Sequence, residues 1–263
     1  MQGLTGYTVR NAFHHNFDYI DKYYTPFIPA AKRMNAKIKR DIDPVNNDGI
    51  TLIPQAMSIV ADEVIDLHRQ LVPYGYDEIN VNLGCPSGTV VSKKRGSGIL
   101  AYPDMLDSFL DELYTKADFP VSIKTRVGFN DDELWPRLIE IYSKYPISEL
   151  TVHPRVQKDF YKNTPRMDDF ALAMQKINPD KTILCYNGDI TDTNSFNALT
   201  DCFPDIDEIM IGRGLFANPA LIAELKGISM DKAELRERLK NWHDEILSGY
   251  LSIFSGERMP FSA

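Results

Sequence analysis

Residues 78–100 read EINVNLGCPSGTVVSKKRGSGIL. The first six alternate polar Glu78, Asn80 and Asn82 with apolar Ile79, Val81 and Leu83, which predicts a strand with two unlike faces. Gly84-Cys85-Pro86-Ser87-Gly88 follows, a composition that turns the chain. A free cysteine is most often a small buried hydrophobe. Here it sits in a strand-end loop of glycine, proline and serine, where backbone approaches ligand rather than filling a core, and the position favours function for Cys85.

The same strand–turn–helix grammar extends in both directions. Strands are expected at 18–23, 49–55, 78–83, 121–126, 150–153 with its flanks, 182–186 and 208–211. Helical periodicity fills 8–15, 56–72, 103–116, 131–145, 168–177, 192–203 and 219–225, with Pro103, Asp131 and Asp192 at good starting positions. Units of about 30 residues alternating in this way predict a parallel sheet, and a length of about 250 residues suits an eight-stranded α/β barrel. Seven strands are one short, and residues 1–6 leave almost no room for another. The expectation is therefore a (β/α)8 TIM barrel with its first strand missing, spanning residues 1–226. From 227 to 263 the pattern is helical, most clearly over 231–247, and reads as the cut-short start of an all-helical C-terminal domain.

Composition narrows the functional classes. The chain has 263 residues, 43% of them hydrophobic and 25% charged, the balance of a globular protein. No apolar run reaches the roughly 18 residues of a membrane span, so no membrane role is expected. Three cysteines, Cys85, Cys185 and Cys202, without CxxC spacing, suggest neither a disulfide framework nor a zinc site; no metal is expected, and the cytoplasm is the expected setting. Cys185 and Cys202 read as packing residues. The net charge of −8 disfavours a purely electrostatic nucleic-acid binder, although Lys93-Lys94-Arg95 forms a local basic run.

Polar residues gather at the expected carboxyl ends of the strands, where barrels carry their sites. Lys124 and Arg126 alternate with Ile123 and Thr125 and so share a face. Inward cations need an anionic partner, and an anionic cofactor is the simplest one. His153-Pro154-Arg155 ends the next strand. Asn187-Gly188-Asp189 and Gly212-Arg213-Gly214 end the last two, where backbone amides at helix starts can cradle phosphate. No GxGxxG, Walker, HExxH or GxSxG pattern occurs, which disfavours Rossmann enzymes, NTPases, zinc proteases and serine hydrolases.

Taken together, EINVNLGCPSGTVVSKKRGSGIL, KTRVG, HPRVQKDFY, NGDI and IGRGLFANP resemble the tRNA-dihydrouridine synthases in content, order and spacing. Residues 1–6, MQGLTG, resemble the end of that family's APM-x-G-x-T segment without its leading Ala-Pro. The resemblance implies an FMN-dependent enzyme that reduces uridine in tRNA to 5,6-dihydrouridine with NADPH. It implies that Cys85 protonates C5 while the flavin delivers hydride to C6. It places Met1, Gln55, Lys124 and His153 near the flavin ring or ribityl chain, and Asn187, Gly188, Asp189, Gly212 and Arg213 around its phosphate end. Asn82 and Arg155 fall where the family contacts the flipped-out base. Phe160 and Tyr161, beside Lys158 and Lys162, offer stacking and basic character on one loop. Pro154 departs from the glycine usual in the family's HGR-type turn. Two other readings remain open: an FMN-barrel dehydrogenase acting on a small pyrimidine such as dihydroorotate, and a non-catalytic barrel that binds RNA or FMN.

Overall fold

The computed structural model describes residues 4–29 and 33–255; Met1 lies outside them. Nine strands are assigned there: β1 Tyr23–Tyr24, β2 Ile28–Pro29, β3 Leu52–Ile53, β4 Gln55–Met57, β5 Ile79–Leu83, β6 Val121–Gly128, β7 Glu149–Val156, β8 Ile183–Tyr186 and β9 Glu208–Ile209. The helices are α1 Tyr7–Asn16, α2 Ala36–Ile42, α3 Ala61–Leu71, α4 Gly88–Val91, α5 Pro103–Lys116, α6 Trp135–Tyr142, α7 Met167–Lys176, α8 Thr193–Cys202, α9 Arg213–Ala217, α10 Leu221–Leu225 and α11 Lys232–Ser255. One sheet has seven parallel strands in the order β2-β4-β5-β6-β7-β8-β9, and β1 pairs with β3 in a second. Strands joined through helices and paired in near-sequential order make the α/β barrel class that the alternation predicts. Among the described residues, no helix is long and apolar enough to cross a membrane.

The first two expected strands are each broken and shifted. Tyr19 N turns back to Phe17 O at 2.8 Å, and ladder pairing begins only where Tyr23 N reaches Thr51 O at 2.8 Å. Pro26 and Pro54 then interrupt the pairing, because proline has no N–H to give. At that break Gln55 N donates instead to Thr25 Oγ1 at 2.9 Å. The helix expected from residue 56 starts at Ala61, because Gln55–Met57 is a strand. Asp192 caps α8 as expected, accepting Ser195 N at 2.7 Å. Asp131 does not cap α6: it takes Glu133 N in a preceding turn, and the helix opens at Trp135 with Pro136 in its first turn.

The core lies between the sheet and its helices. Ile79, Val81, Leu83, Ile123 and Val152 are fully buried, as are Leu106 and Leu110 of α5 and Trp135 and Leu138 of α6, each such side chain contributing about 1.5–3 kcal/mol. A second cluster joins the two ends of the chain. Val9, Phe13 and Phe17 meet Leu235, Leu239, Trp242 and Ile246 of α11, with Phe13 edge-on to Trp242 at 5.3 Å between ring centroids.

Candidate active site

Register builds the site. Gln55 pairs with Asn80, Asn80 with Ser122, Asn82 with Lys124, and Arg126 with His153, so these side chains share the inner face of the sheet. The resulting amide chain has a fixed direction. Asn80 Nδ2 donates to Ser122 Oγ at 3.1 Å, Gln55 Nε2 to Asn80 Oδ1 at 2.8 Å, and Asn82 Nδ2 to Gln55 Oε1 at 2.7 Å. Asn82 Oδ1 then receives Gly84 N at 3.1 Å and Cys85 N at 2.9 Å.

Cys85 is held from its other side as well. Its carbonyl accepts Ser97 N at 3.1 Å and Ser97 Oγ at 2.8 Å. This approach requires glycine at 96, which has φ +54° and where a Cβ would stand 2.7 Å from Cys85 O. The downstream glycines of the motif thus close a loop around a half-buried thiol.

Lys124 Nζ donates to Asn187 Oδ1 at 2.5 Å, and Asn187 Nδ2 donates to Met210 O at 2.8 Å. Burial, with Arg126 beside it, pulls the Lys124 ammonium down to about 8. Burial and then the cations Lys124, Arg126, Arg155 and Arg213 hold His153 far below the ordinary imidazole range. His153 is therefore neutral. Its Nε2 lies 3.1 Å from Arg155 Nη1; a guanidinium only donates, so Nε2 accepts and Nδ1 carries the proton.

Asp189 joins two arginines. Arg155 reaches both of its carboxylate oxygens, and Arg213 Nη2 donates to Oδ1 at 2.6 Å. Burial opposes the charge on Asp189, but the Arg155 hydrogen bonds and then the two arginines' charges hold the carboxyl below its usual range. Arg213 opens α9 half-exposed, its guanidinium 4.6 Å from the Tyr161 ring centroid.

Arg126 departs from expectation. Its partners are three backbone carbonyls, Gly84 O at 3.0 Å, Val156 O at 2.9 Å and Phe160 O at 2.7 Å, where the shared face with Lys124 suggested an anion. Neutral carbonyls relieve burial only in part, and the guanidinium is pulled down to about 10.

These groups surround a cavity of about 1180 Å³ at the carboxyl ends of the strands and running inward. Gln55, Asn82, Cys85, Lys124, His153, Asn187, Gly188, Asp189, Gly212 and Arg213 all line it. Arg155 stands behind that wall, 1% exposed, with its remaining donors on Lys162 O and Asn163 O. Cys202, expected to pack, is exposed on α8, whereas Cys185 is buried. Sequence reading passed over Asn80, Ser97 and the loop-holding role of Arg126; the in-register polar positions 80 and 122 were the available signal. It also missed an inner cluster in which Glu149, Cys185 and Glu208 place ligand-type atoms within 4.8 Å of one another. Lys22 stands between the two carboxylates, bonded to Glu149 and 2.7 Å from Glu208, and Tyr24 donates to Glu149, so an ammonium already meets that charge.

Lys124 and Arg213 both line the cavity, Lys124 bonded to the neutral Asn187 amide and Arg213 sharing Asp189 with the buried Arg155. The donor set suits a phosphate-bearing anionic cofactor.

Comparisons with known proteins bear on the fold and the family. The fold resembles that in "Crystal structures of a putative dihydrodipicolinate synthase family protein from Coccidioides immitis", with a TM-score of 0.54 at 9% identity, over 92% of this chain and 71% of that one. Among curated proteins, the chain is 34% identical over 154 residues to "Probable tRNA-dihydrouridine synthase" of Staphylococcus aureus strain Mu50, covering 57% of this chain and 46% of that protein. It is 30% identical over 192 residues to tRNA-dihydrouridine synthase B of Shigella flexneri, covering 73% and 58%. The chain thus spans about half the length of the curated relatives it matches. The family model described as dihydrouridine synthase (Dus) matches residues 1–248, and the chain belongs to the dihydrouridine synthase family.

Proposed function

We propose that this chain reduces the C5–C6 double bond of uridine in tRNA, giving 5,6-dihydrouridine, with FMN as cofactor and NADPH as reductant. The observation that supports this reading most is the convergence of a held thiol loop at Cys85 with Lys124, His153 and the turns at 187–189 and 212–213, the second bearing Arg213, on one cavity. Flavin, when bound, supplies the hydride for C6.

The chain's own residues do the rest. Lys124 and His153 border the flavin ring, where a cation favours negative charge and a neutral imidazole offers Nδ1–H as a donor. Arg213 and the amides near Gly188 and Gly212 hold the phosphate end, with Asp189 orienting Arg213. Gln55 and Asn82 fix the Cys85 loop, and Cys85 Sγ–H would be the proton source for C5. A base inside a stacked helix cannot reach that thiol, so the uridine leaves its stack; Tyr161, half-exposed at the cavity wall, gives it an aromatic face. Residues 1–226 serve as the cofactor-binding barrel, and the helical part from 227 onward contributes to holding tRNA.

The test is mass spectrometry of tRNA nucleosides from a strain lacking the gene. Loss of dihydrouridine at defined positions, restored by the gene, is the expected result. An unchanged dihydrouridine content together with turnover of dihydroorotate by the purified protein would instead support the small-pyrimidine reading.

A further inference from the structure

We propose that Arg126 is a positioning residue that ties the Cys85 loop to the Tyr161 turn and so sets the width of the slot a uracil base enters. This inference rests on the uridine-reducing reading of the same site. Arg126 is 2% exposed, and among the described residues no ion pair is formed with it. All three of its nitrogens are engaged. Nε holds Gly84 O, beside Cys85, while Nη1 and Nη2 hold Val156 O and Phe160 O, at either side of the turn that leads to Tyr161. A buried cation bonded only to neutral carbonyls is costly, and what it gains here is a bridge between two chain segments some 70 residues apart.

The second segment cannot hold its shape without help. Phe160 has φ +52° and ψ −97°, a positive-φ conformation that an aromatic residue resists, and Asn163 has φ +59°. Asp159 staples the turn from one side by accepting Val156 N at 3.1 Å and Asn163 Nδ2 at 2.6 Å and by pairing with Arg166. Arg126 receives it from the other, at Phe160 O. Tyr161 then projects over the cavity with its ring centroid 5.6 Å from the Arg126 guanidinium carbon. Cys85 and Tyr161 both line that cavity, so one guanidinium joins the wall that gives the proton to the wall that fixes the plane of the base. Lysine does not replace it, because an ammonium lacks the planar fork that meets three carbonyls at once.

The experiment compares the FMN-loaded parent with Arg126→Lys, both in a Cys202→Ser background so that Cys85 is the accessible thiol. Hydrogen exchange is expected to speed up in Arg126→Lys at 84–85 and 158–162 together, with the rate of Cys85 alkylation by iodoacetamide altered. Flavin content and NADPH oxidation should stay near parental. Single-turnover oxidation of the reduced flavin by tRNA should fall roughly 10²-fold, as for a misplacement of about 1 Å, with tRNA affinity changed by less than about 3-fold. Exchange that changes in one segment or neither overturns the bridge. A parental single-turnover rate overturns the positioning role, and so does a loss that lies wholly in tRNA affinity. Should Arg126→Lys not fold, the parent decides: protection at 158–162 like that of β6 supports the bridge, and exchange as fast as an exposed loop overturns it. If the parent itself fails to reduce tRNA, the functional reading falls, while the exchange and alkylation results still judge the bridge.

Discussion

The side-chain oxygen of Asn82 accepts the backbone N–H of Cys85 at 2.9 Å. The backbone that carries the thiol is thus held by a side chain three residues back on the strand, together with the two Ser97 bonds to the Cys85 carbonyl. Removing the thiol should leave that scaffold in place. Cys85→Ala is expected to keep the fold, the flavin and NADPH oxidation, while transfer from reduced flavin to uridine falls by roughly 10²–10⁴-fold, the contribution of a positioned acid. Serine should rescue little, because a hydroxyl is a far weaker acid than a thiol. Stopped-flow of the two half-reactions reads this directly, and loss of flavin in the variant would make the cysteine structural.

Arg213 stands half-exposed at the head of α9 with Asp189 as its partner. Arg213→Ala should weaken FMN binding by about 10–100-fold, the worth of a charge-assisted hydrogen bond to an anion. Fluorescence titration of the cofactor-free protein measures it. Retention as tight as the parent's would remove the phosphate from the 187–189 and 212–213 turns.

Lys124 gives a pH test. In the folded chain its pKa lies near 8, and in the unfolded chain near the ordinary value of about 10.4. Between these values the unfolded chain binds the extra proton, so the lysine's burial costs stability below pH 8 and the cost disappears as pH rises toward the unfolded value. Cofactor-free Lys124→Met should therefore be more stable than the parent at pH 7, by about 1–3 kcal/mol, with the difference shrinking between pH 8 and 10. Denaturant melts at several pH values check it; a constant difference would assign the effect to packing.

Gly96 is constrained twice, by φ +54° and by Cys85 O and Val90 Cγ1 at 2.7 and 2.9 Å from where a Cβ would be. Gly96→Ala should cost about 1–3 kcal/mol and displace the Cys85 loop. Thermal melts together with the uridine half-reaction report both effects, whereas an unchanged melting temperature would mean the loop relaxes freely.

By itself the sequence determined the repeating βα order, the strand at 78–83 with its GCP turn, and the gathering of Cys85, Lys124, His153, Asn187 and Arg213 at strand ends. These features are local: alternation, turn residues and helix starts are written within a few positions of each other. Only the tertiary structure decided partners. Arg126 and Lys124 share a face and looked equivalent, yet one spans three carbonyls and the other meets Asn187. Arg155 turned inward to Asp189 and the 162–163 backbone, the strand expected at 18–23 moved to 23–24 and 28–29 while Pro54 split the one expected at 49–55, and α11 came to rest on α1. A hydrogen bond's energy depends on distance and angle between groups tens of residues apart, and the pattern of the chain carries the chemical type of each group but not which group it will face.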